Sequence, residues 1–262
     1  MRKLYVIGIG AGDPEQLTVQ AIEALQRVDA FFILDKGEVK AELVELRKLI
    51  CERFIRERSY RFVEMKDPVR DPAIEPYEAR VLAWHAERAR LYGELIAREL
   101  GEAGVGGILV WGDPSLYDST LRILESVAAQ PSAAFETEVV PGISSVQALA
   151  ACHRIPLHRI GGAVHITTGR RLVADAQADH DDLVVMLDGQ CTWTQVDRDA
   201  FDIYWGAYLG TPHQLLRSGP LRELADELVA LRSAARAERG WIMDIYYLRR
   251  RSVQPARSAL SK

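Results

Sequence analysis

The feature that most limits what this chain can become is its opening turn. Leu4-Tyr5-Val6-Ile7 is a short apolar, β-rich run, and it breaks into Gly8-Ile9-Gly10-Ala11-Gly12-Asp13-Pro14. Thr18 to Val28 then reads as a helix, because Val19, Ile22 and Leu25 recur on one face. Strand, glycine loop and helix make the first step of an open α/β sheet. Ligands of such sheets bind at the carboxyl ends of the strands, where this loop lies. Glycines at 8, 10 and 12 let backbone approach a ligand with no Cβ in the way.

A dinucleotide is the first ligand such a loop suggests. A GxGxxG fingerprint needs glycine or alanine where the helix packs closely on the strand, and this chain has Asp13 there, followed by Pro14. Pro14 suits a first helical turn, and Asp13 suits a helix cap. A carboxylate at 13 would also repel a pyrophosphate. Asp35 ends the next strand about where a ribose-binding acid would stand, so a nicotinamide-dependent oxidoreductase is kept as an alternative.

The 262 residues suit one large domain or two modest ones. A net charge of −4 without a basic stripe does not favour nucleic acid as a partner. Cys51, Cys152 and Cys191 form neither a disulfide framework nor a metal-ligand spacing. Their sparse use suits a reducing cytosol, so a cytoplasmic protein is expected. No apolar run approaches the ~18 residues of a membrane span, and the start lacks the apolar core of a signal peptide.

Further strands are expected at Ala30 to Leu34, Tyr60 to Met65, Gly107 to Trp111 and Glu138 to Val140. Helices are expected at Val39 to Arg58, Tyr77 to Leu100 and Ser119 to Ala129, and in a run ending at Cys152. Lys66 to Pro76, with its prolines and charges, is a loop long enough to be functional. Gln130 to Ala133 is the best linker candidate, which divides the chain into domains 1–132 and 133–262. The second half holds strand-like runs at Ala163 to Thr167, Leu183 to Leu187, Ile203 to Leu209 and Ile242 to Leu248. Its long helix carries Leu221, Leu224, Leu228 and Leu231. Regular alternation in the first half argues for a parallel sheet. The expected fold class is therefore α/β, with two α/β domains and a cleft between them.

Three strand ends carry turn chemistry with polar side chains: Gly8 to Pro14, Gly112 to Tyr117 and Pro141 to Ser145. Each alone is a weak signal, and Gly-Asp-Pro before a helix most often reads as a capped turn. Together they describe a wall of backbone suited to a small polar ligand with an adenine and a zwitterionic end. VIGIGAGDPEQLT, WGDPSLYDST, VVPGISSVQALA, RIPLHR and HITTGR, in this order, resemble the tetrapyrrole (precorrin) methylase family over nearly the whole chain. ILDKG at Ile33 to Gly37, Trp84-His85 with Arg88, and GWIMDIYYLRR at Gly240 to Arg250 are similar to one member. That member methylates C-1 of precorrin-5 with loss of acetate.

The resemblance implies a homodimer that binds S-adenosylmethionine folded in the cleft, releases S-adenosylhomocysteine and acts on a tetrapyrrole in cobalamin biosynthesis. Cofactor contacts are implied at Gly10, Ala11, Trp111, Gly112, Asp113, Leu116, Ser144 and Ser145, with Met186 and Gly210 less directly matched. Ala11 replaces the family's usual proline, and Ser144-Ser145 replaces a common Thr-Ala, keeping the hydroxyl at 144. Other readings are a methylase acting at a different ring carbon and a non-catalytic tetrapyrrole-binding protein.

Asp35 carries two readings, a helix cap or a catalytic base; Tyr117 either orients substrate or packs. Lys36 and Arg88 are candidates for substrate carboxylates, against the plainer reading of Lys36, Arg70, Arg80 and Arg88 as solvated surface. His85, His165, His153 and His158 lack metal-ligand spacing, and no metal is expected. Cys152 and Cys191 read as small buried apolar residues.

Overall fold

The computed structural model describes residues 1–35, 41–130, 134–178 and 180–251, with the side chains of 35, 41 and 42 outside that description. The chain forms two compact units, Met1–Ser145 and Val146–Lys262.

The first unit alternates strand and helix: β1 (Arg2–Gly8), α1 (Val19–Leu25), β2 (Ala30–Asp35), α2 (Ala41–Phe54), β3 (Arg61–Lys66), α3 (Tyr77–Glu99), β4 (Val105–Val110), α4 (Thr120–Ala128) and β5 (Phe135–Val140). The five strands make one parallel sheet in the order β3-β2-β4-β1-β5. β5 pairs with β1 from Arg2↔Phe135 to Ile7↔Val140, so the strand that follows the linker candidate belongs to the first sheet. Residues 131–133 of that candidate lie outside the described residues.

Side chains along β1 alternate between the two faces of the sheet. Leu4 and Val6 join Ile108 and Val110 against Tyr92, Leu95 and Ile96 of α3 and Ile123, Leu124 and Val127 of α4. Tyr5, Ile7 and Ile9 join Leu109 against Ala21, Ala24 and Leu25 of α1 and Ile50 and Cys51 of α2. Both faces of the central strands are covered, which is why β1, β2 and β4 contain continuous apolar runs, whereas the edge strands β3 and β5 carry charged, exposed residues.

The winding of this sheet sets the site. From β1 the chain travels toward one edge, through β2 to β3; from β4 it travels to the opposite edge, to β5. β1 and β4 are neighbours, paired from Lys3↔Val105 to Gly8↔Val110. Their carboxyl ends therefore flank the point at which the winding reverses, where open α/β sheets hold ligands.

The second unit contains α5 (Ser145–His153, beginning at the division), β6 (His165–Thr168), α6 (Leu172–Gln177), β7 (Asp182–Met186), β8 (Phe201–Ala207), β9 (Leu215–Pro220), α7 (Leu221–Arg239) and β10 (Asp244–Arg250). Its sheet runs β6-β7-β10-β8-β9; β6 and β7 are parallel, and the remaining pairs are antiparallel. β9 and α6 are additions to the sequence reading. β9 is a partly exposed strand, LLRSGP, that pairs with β8 alone in the sheet, so neither alternation nor an apolar run marks it. The helix expected to run to Arg58 stops at Phe54.

Trp193, Trp205 and Tyr246 fill the second core. The indole of Trp193 meets the Tyr246 ring edge-on at 5.1 Å and donates to Ala225 O on α7. Leu221, Ala225, Leu228, Arg232 and Ala235 are the buried residues of α7, on one stripe of the helix. The helix ends at Gly240 in a left-handed conformation (φ 75°), whose N–H donates to Arg236 O.

Candidate functional site

The glycine loop after β1 and the loop after β4 are tied by backbone. Gly112 N donates to Gly10 O at 2.8 Å, and Gly10 N donates to Gly112 O at 3.4 Å. The loop after β5 packs against both. A Cβ on Gly8 would stand 2.6 Å from Gly142 N and 2.8 Å from Gly112 O, and one on Gly142 would stand 2.2 Å from Gly112 O. These glycines are required by close approach of three chain segments. Gly112 also has φ +70°, the left-handed region that favours glycine.

Asp113 joins the second loop to the third. Its Oδ1 accepts from Ser115 N (2.9 Å) and from the Ser115 hydroxyl, and its Oδ2 accepts from Gly142 N (2.9 Å). Burial pushes the Asp113 carboxyl up, but these donors outweigh it and hold it below the ordinary aspartate range. The carboxylate is spent on the loops. It does not cap α4, whose first turn takes Asp118 Oδ1 on Thr120 N instead.

The glycine loop likewise uses its own amides. Ala11 N donates to Gln16 Oε1 (3.0 Å), Glu15 N to Asp13 Oδ1 (2.9 Å) and Ala21 N to the Thr18 hydroxyl (3.0 Å). Asp13 caps a short 3-10 turn, Pro14–Gln16, ahead of α1, as its sequence position suggested. Asp13, which stands where the dinucleotide fingerprint needs glycine or alanine, is fixed as this cap, which disfavours the dinucleotide alternative.

Gly10, Ala11, Trp111, Gly112, Asp113, Leu116, Ser144 and Ser145 thus lie on three loops at adjacent strand ends. Ser144 is buried, and Ser145 opens α5. Tyr117 follows in the second loop at φ 53° and is 45% exposed, so its ring is not core. Asp35 ends β2 opposite Lys66 of β3; its side chain, and all of Lys36, lie outside the described residues. The donor set is backbone N–H and C=O plus hydroxyls, with its one fixed carboxylate internally satisfied. That chemistry fits a nucleoside joined to an amino acid.

Met186 ends β7 in the second unit, and Gly210 follows β8 with φ +75° and its N–H on Gln214 Oε1. The turn after Met186 is anchored by Asp188, which accepts from Thr192 N (2.7 Å), the Thr192 hydroxyl (2.9 Å) and the Tyr246 hydroxyl (2.7 Å). Arg232 binds Asp188 O and grips Asp244 with Nε and Nη2 (2.9 and 3.2 Å).

Arg88 is not surface. It is 4% exposed, its fork binds both oxygens of Asp67 (2.8 and 2.5 Å), and it lies 3.6 Å from the centre of the Trp84 ring. Trp84 Nε1 donates to Pro68 O, and Arg70 lies over the same ring at 4.1 Å. Arg88 and Trp84 therefore fasten the 66–76 loop onto α3, and Arg88's side chain is occupied in doing so. Burial and the charges of Arg88, Arg70 and Arg122 push His85 below the ordinary histidine value. Cys51 is buried as a small apolar residue, but Cys152 and Cys191 are only half-buried: Cys152 bonds Gln214, and Cys191 stands at φ 54° beside Arg232.

A depression of about 500 Å³ lies at the amino ends of β3 and β4, lined by Asp29, Tyr60, Arg61 and Glu99. It is at the opposite end of the sheet from the glycine loops. Its charges are paired with one another and with Arg58.

Backbone loops gathered where a parallel sheet reverses its winding, followed by a mixed-sheet unit, define a two-unit α/β protein that takes a small polar ligand. The chain belongs to the Tetrapyrrole (Corrin/Porphyrin) Methylases, which it matches over residues 3–225. It is 50% identical over 250 residues to a precorrin-6A synthase [deacetylating] of Sinorhizobium sp, covering 95% of this chain and 96% of that one. It is also similar to the crystal structure of a cobalamin synthesis related protein (CobF) from Corynebacterium diphtheriae. That likeness has TM-score 0.83 and 42% identity, over 95% of this chain and 98% of the other. A uroporphyrin-III C-methyl transferase of Thermus thermophilus, solved with S-adenosylhomocysteine, shares the fold at TM-score 0.56 and 16% identity, over 94% and 91% of the two chains. Among the described residues, no helix is long and apolar enough to cross a membrane.

Proposed function

We propose that this chain is an S-adenosylmethionine-dependent C-methyltransferase of cobalamin biosynthesis, which methylates precorrin-5 at C-1 and releases the acetyl group as acetate, giving precorrin-6A. The observation that carries the reading is the 50% identity to the Sinorhizobium enzyme across both chains' length. The three-loop site supports it.

When bound, S-adenosylmethionine supplies an electrophilic sulfonium methyl. The backbone of Gly10, Ala11, Trp111, Gly112 and Leu116 and the hydroxyls of Ser144 and Ser145 hold the nucleoside and amino-acid ends. Asp113 keeps the second and third loops in register. An electron-rich pyrrole carbon is already a nucleophile, so the protein's task is to align the reacting atoms and exclude water. Asp35 acts as the base, Tyr117 orients the macrocycle and Lys36 pairs with one of its carboxylates. Arg88, already engaged by Asp67, serves by holding the 66–76 loop. The working form is a cytoplasmic homodimer, which sedimentation of the purified chain checks.

The test is mass spectrometry of the product after incubation with S-adenosylmethionine and precorrin-5. One added methyl with loss of the two-carbon acetyl unit is expected. A methyl added with the acetyl retained would move the reading to another ring carbon. No reaction, with the cofactor bound, would reject precorrin-5 as the acceptor.

A further inference from the structure

The turn that follows the glycine loop folds back onto it. Asp13 Oδ1 accepts from Glu15 N at 2.9 Å, and Asp13 O accepts from Gln16 N at 2.9 Å, which closes the 3-10 turn Pro14–Gln16. Gln16 is thereby turned toward the residues ahead of the turn. Its Oε1 accepts from Ala11 N at 3.0 Å. A Cβ on Gly10 would stand 2.9 Å from the Gln16 Cβ and 3.3 Å from its Oε1. The side chain of Gln16 therefore lies against Gly10 and Ala11 together.

Three successive amides fix the path of this loop. Ile9 N donates to Val110 O at 2.9 Å and Gly10 N to Gly112 O at 3.4 Å, so the first two are held by the backbone of β4 and the loop after it. Ala11 N comes next, and it is held by a side chain five residues on, that of Gln16. Ala11 is 3% exposed, and a buried amide left without an acceptor is costly. Ala11 also adjoins Gly10, the residue bridged to Gly112, so a shift of Ala11 pulls on the bridge between the first and second loops.

We propose that Gln16 is a positioning residue of the cofactor site: by accepting from Ala11 N, it holds the first loop in the conformation that receives the ligand. The identity of that ligand, S-adenosylmethionine, rests on the proposed function. Gln16 acts through Ala11 and touches no reacting atom. Its role is separate from that of Asp113, which ties the second loop to the third, whereas Gln16 sets the shape of the first. In sequence Gln16 stands between a cap and a helix, where a half-buried polar residue reads as ordinary turn surface.

The test is a double-mutant cycle between Gln16→Leu, which removes the acceptor at similar volume, and Ala11→Pro, which removes the N–H that needs it. Ala11 does not have a positive φ, so proline's negative φ has the right sign there. Calorimetry gives the S-adenosylhomocysteine Kd, turnover gives kcat and the KM for S-adenosylmethionine, and thermal melts establish that each variant is folded. Gln16→Leu is expected to raise Kd and KM by about tenfold, the scale of one unpaired buried amide, with kcat retained. Gln16→Glu, which keeps an acceptor oxygen, should recover most of that loss. In the Ala11→Pro background, Gln16→Leu should change Kd by less than about twofold, and this comparison stands even if Gln16→Leu alone melts too low to titrate. A Gln16→Leu chain that melts lower but binds as wild type overturns the proposal, because the bond would then serve the fold alone. A tenfold loss that persists in the Ala11→Pro background also overturns it, because Gln16 would not be acting through Ala11. Wild-type chain that fails to bind S-adenosylhomocysteine is a distinct result, which overturns the proposed function and this proposal with it.

Discussion

Replacing Asp113 by alanine tests whether the cofactor wall is held together by one side chain. The substitution removes the acceptor of Gly142 N, the bond that joins the second loop to the third, and the acceptor of Ser115 N, which shapes the second loop itself. Hydrogen bonds to a charged group are worth ~1.5–3 kcal/mol, and Asp113 is only half-buried, so the low end applies. If the Gly142 bond alone sets the loop spacing, about 1.5 kcal/mol of preorganisation is lost. That corresponds to roughly a tenfold rise in Kd. Asparagine keeps one carbonyl acceptor but turns an N–H₂ toward the other amide, so Asp113→Asn falls between the two. The assay is calorimetric titration of S-adenosylhomocysteine into the wild type and both variants, beside thermal melts. An alanine variant that melts lower yet binds within twofold of wild type would refute the reasoning. The tie would then support the fold without positioning the site.

Three further outcomes follow from the same geometry. Arg88→Gln should destabilise the first unit by about 3–5 kcal/mol, as expected when one partner of a buried ion pair is removed. Asp67→Asn should cost a similar amount, and a double-mutant cycle in urea melts should show the two losses strongly non-additive. His153 is pushed below the ordinary histidine value by burial, with its bond to Trp205 O opposing. A folded-state value below the unfolded one means stability is fully present above about pH 6.5 and is lost as pH falls through the folded value. Melting temperatures taken from pH 7.5 downward should show that loss, and His153→Gln, which keeps a donor for Trp205 O, should lessen it.

Most elements of this fold are legible because their signals are local. The central strands of the first unit, β1, β2 and β4, are apolar runs between turn residues, and α1 is announced by Thr18 and by the period of its apolar residues. Asp13 reads as a cap from its neighbour Pro14, and it is one. β9 escapes because a short, partly exposed edge strand has no period to detect. Arg88 escapes for a different reason. On α3 it looks like one more charge on a long helix, and only the loop that brings Asp67 to it makes it a buried pair.

The residues by themselves determine that glycines stand at 8, 10, 112 and 142 and that each follows a strand or lies within a turn. They also determine the family, through the order of the motifs. Tertiary structure alone decides that these glycines meet. The chain passes from β1 to β2 and returns to insert β4 between them, so loops a hundred residues apart in sequence become neighbours with one backbone bridge. The grip of Asp113 on Gly142 arises the same way, joining groups far apart along the chain. Periodicity and capping report only what a residue does with its near neighbours, whereas strand order is a property of how the whole sheet is wound.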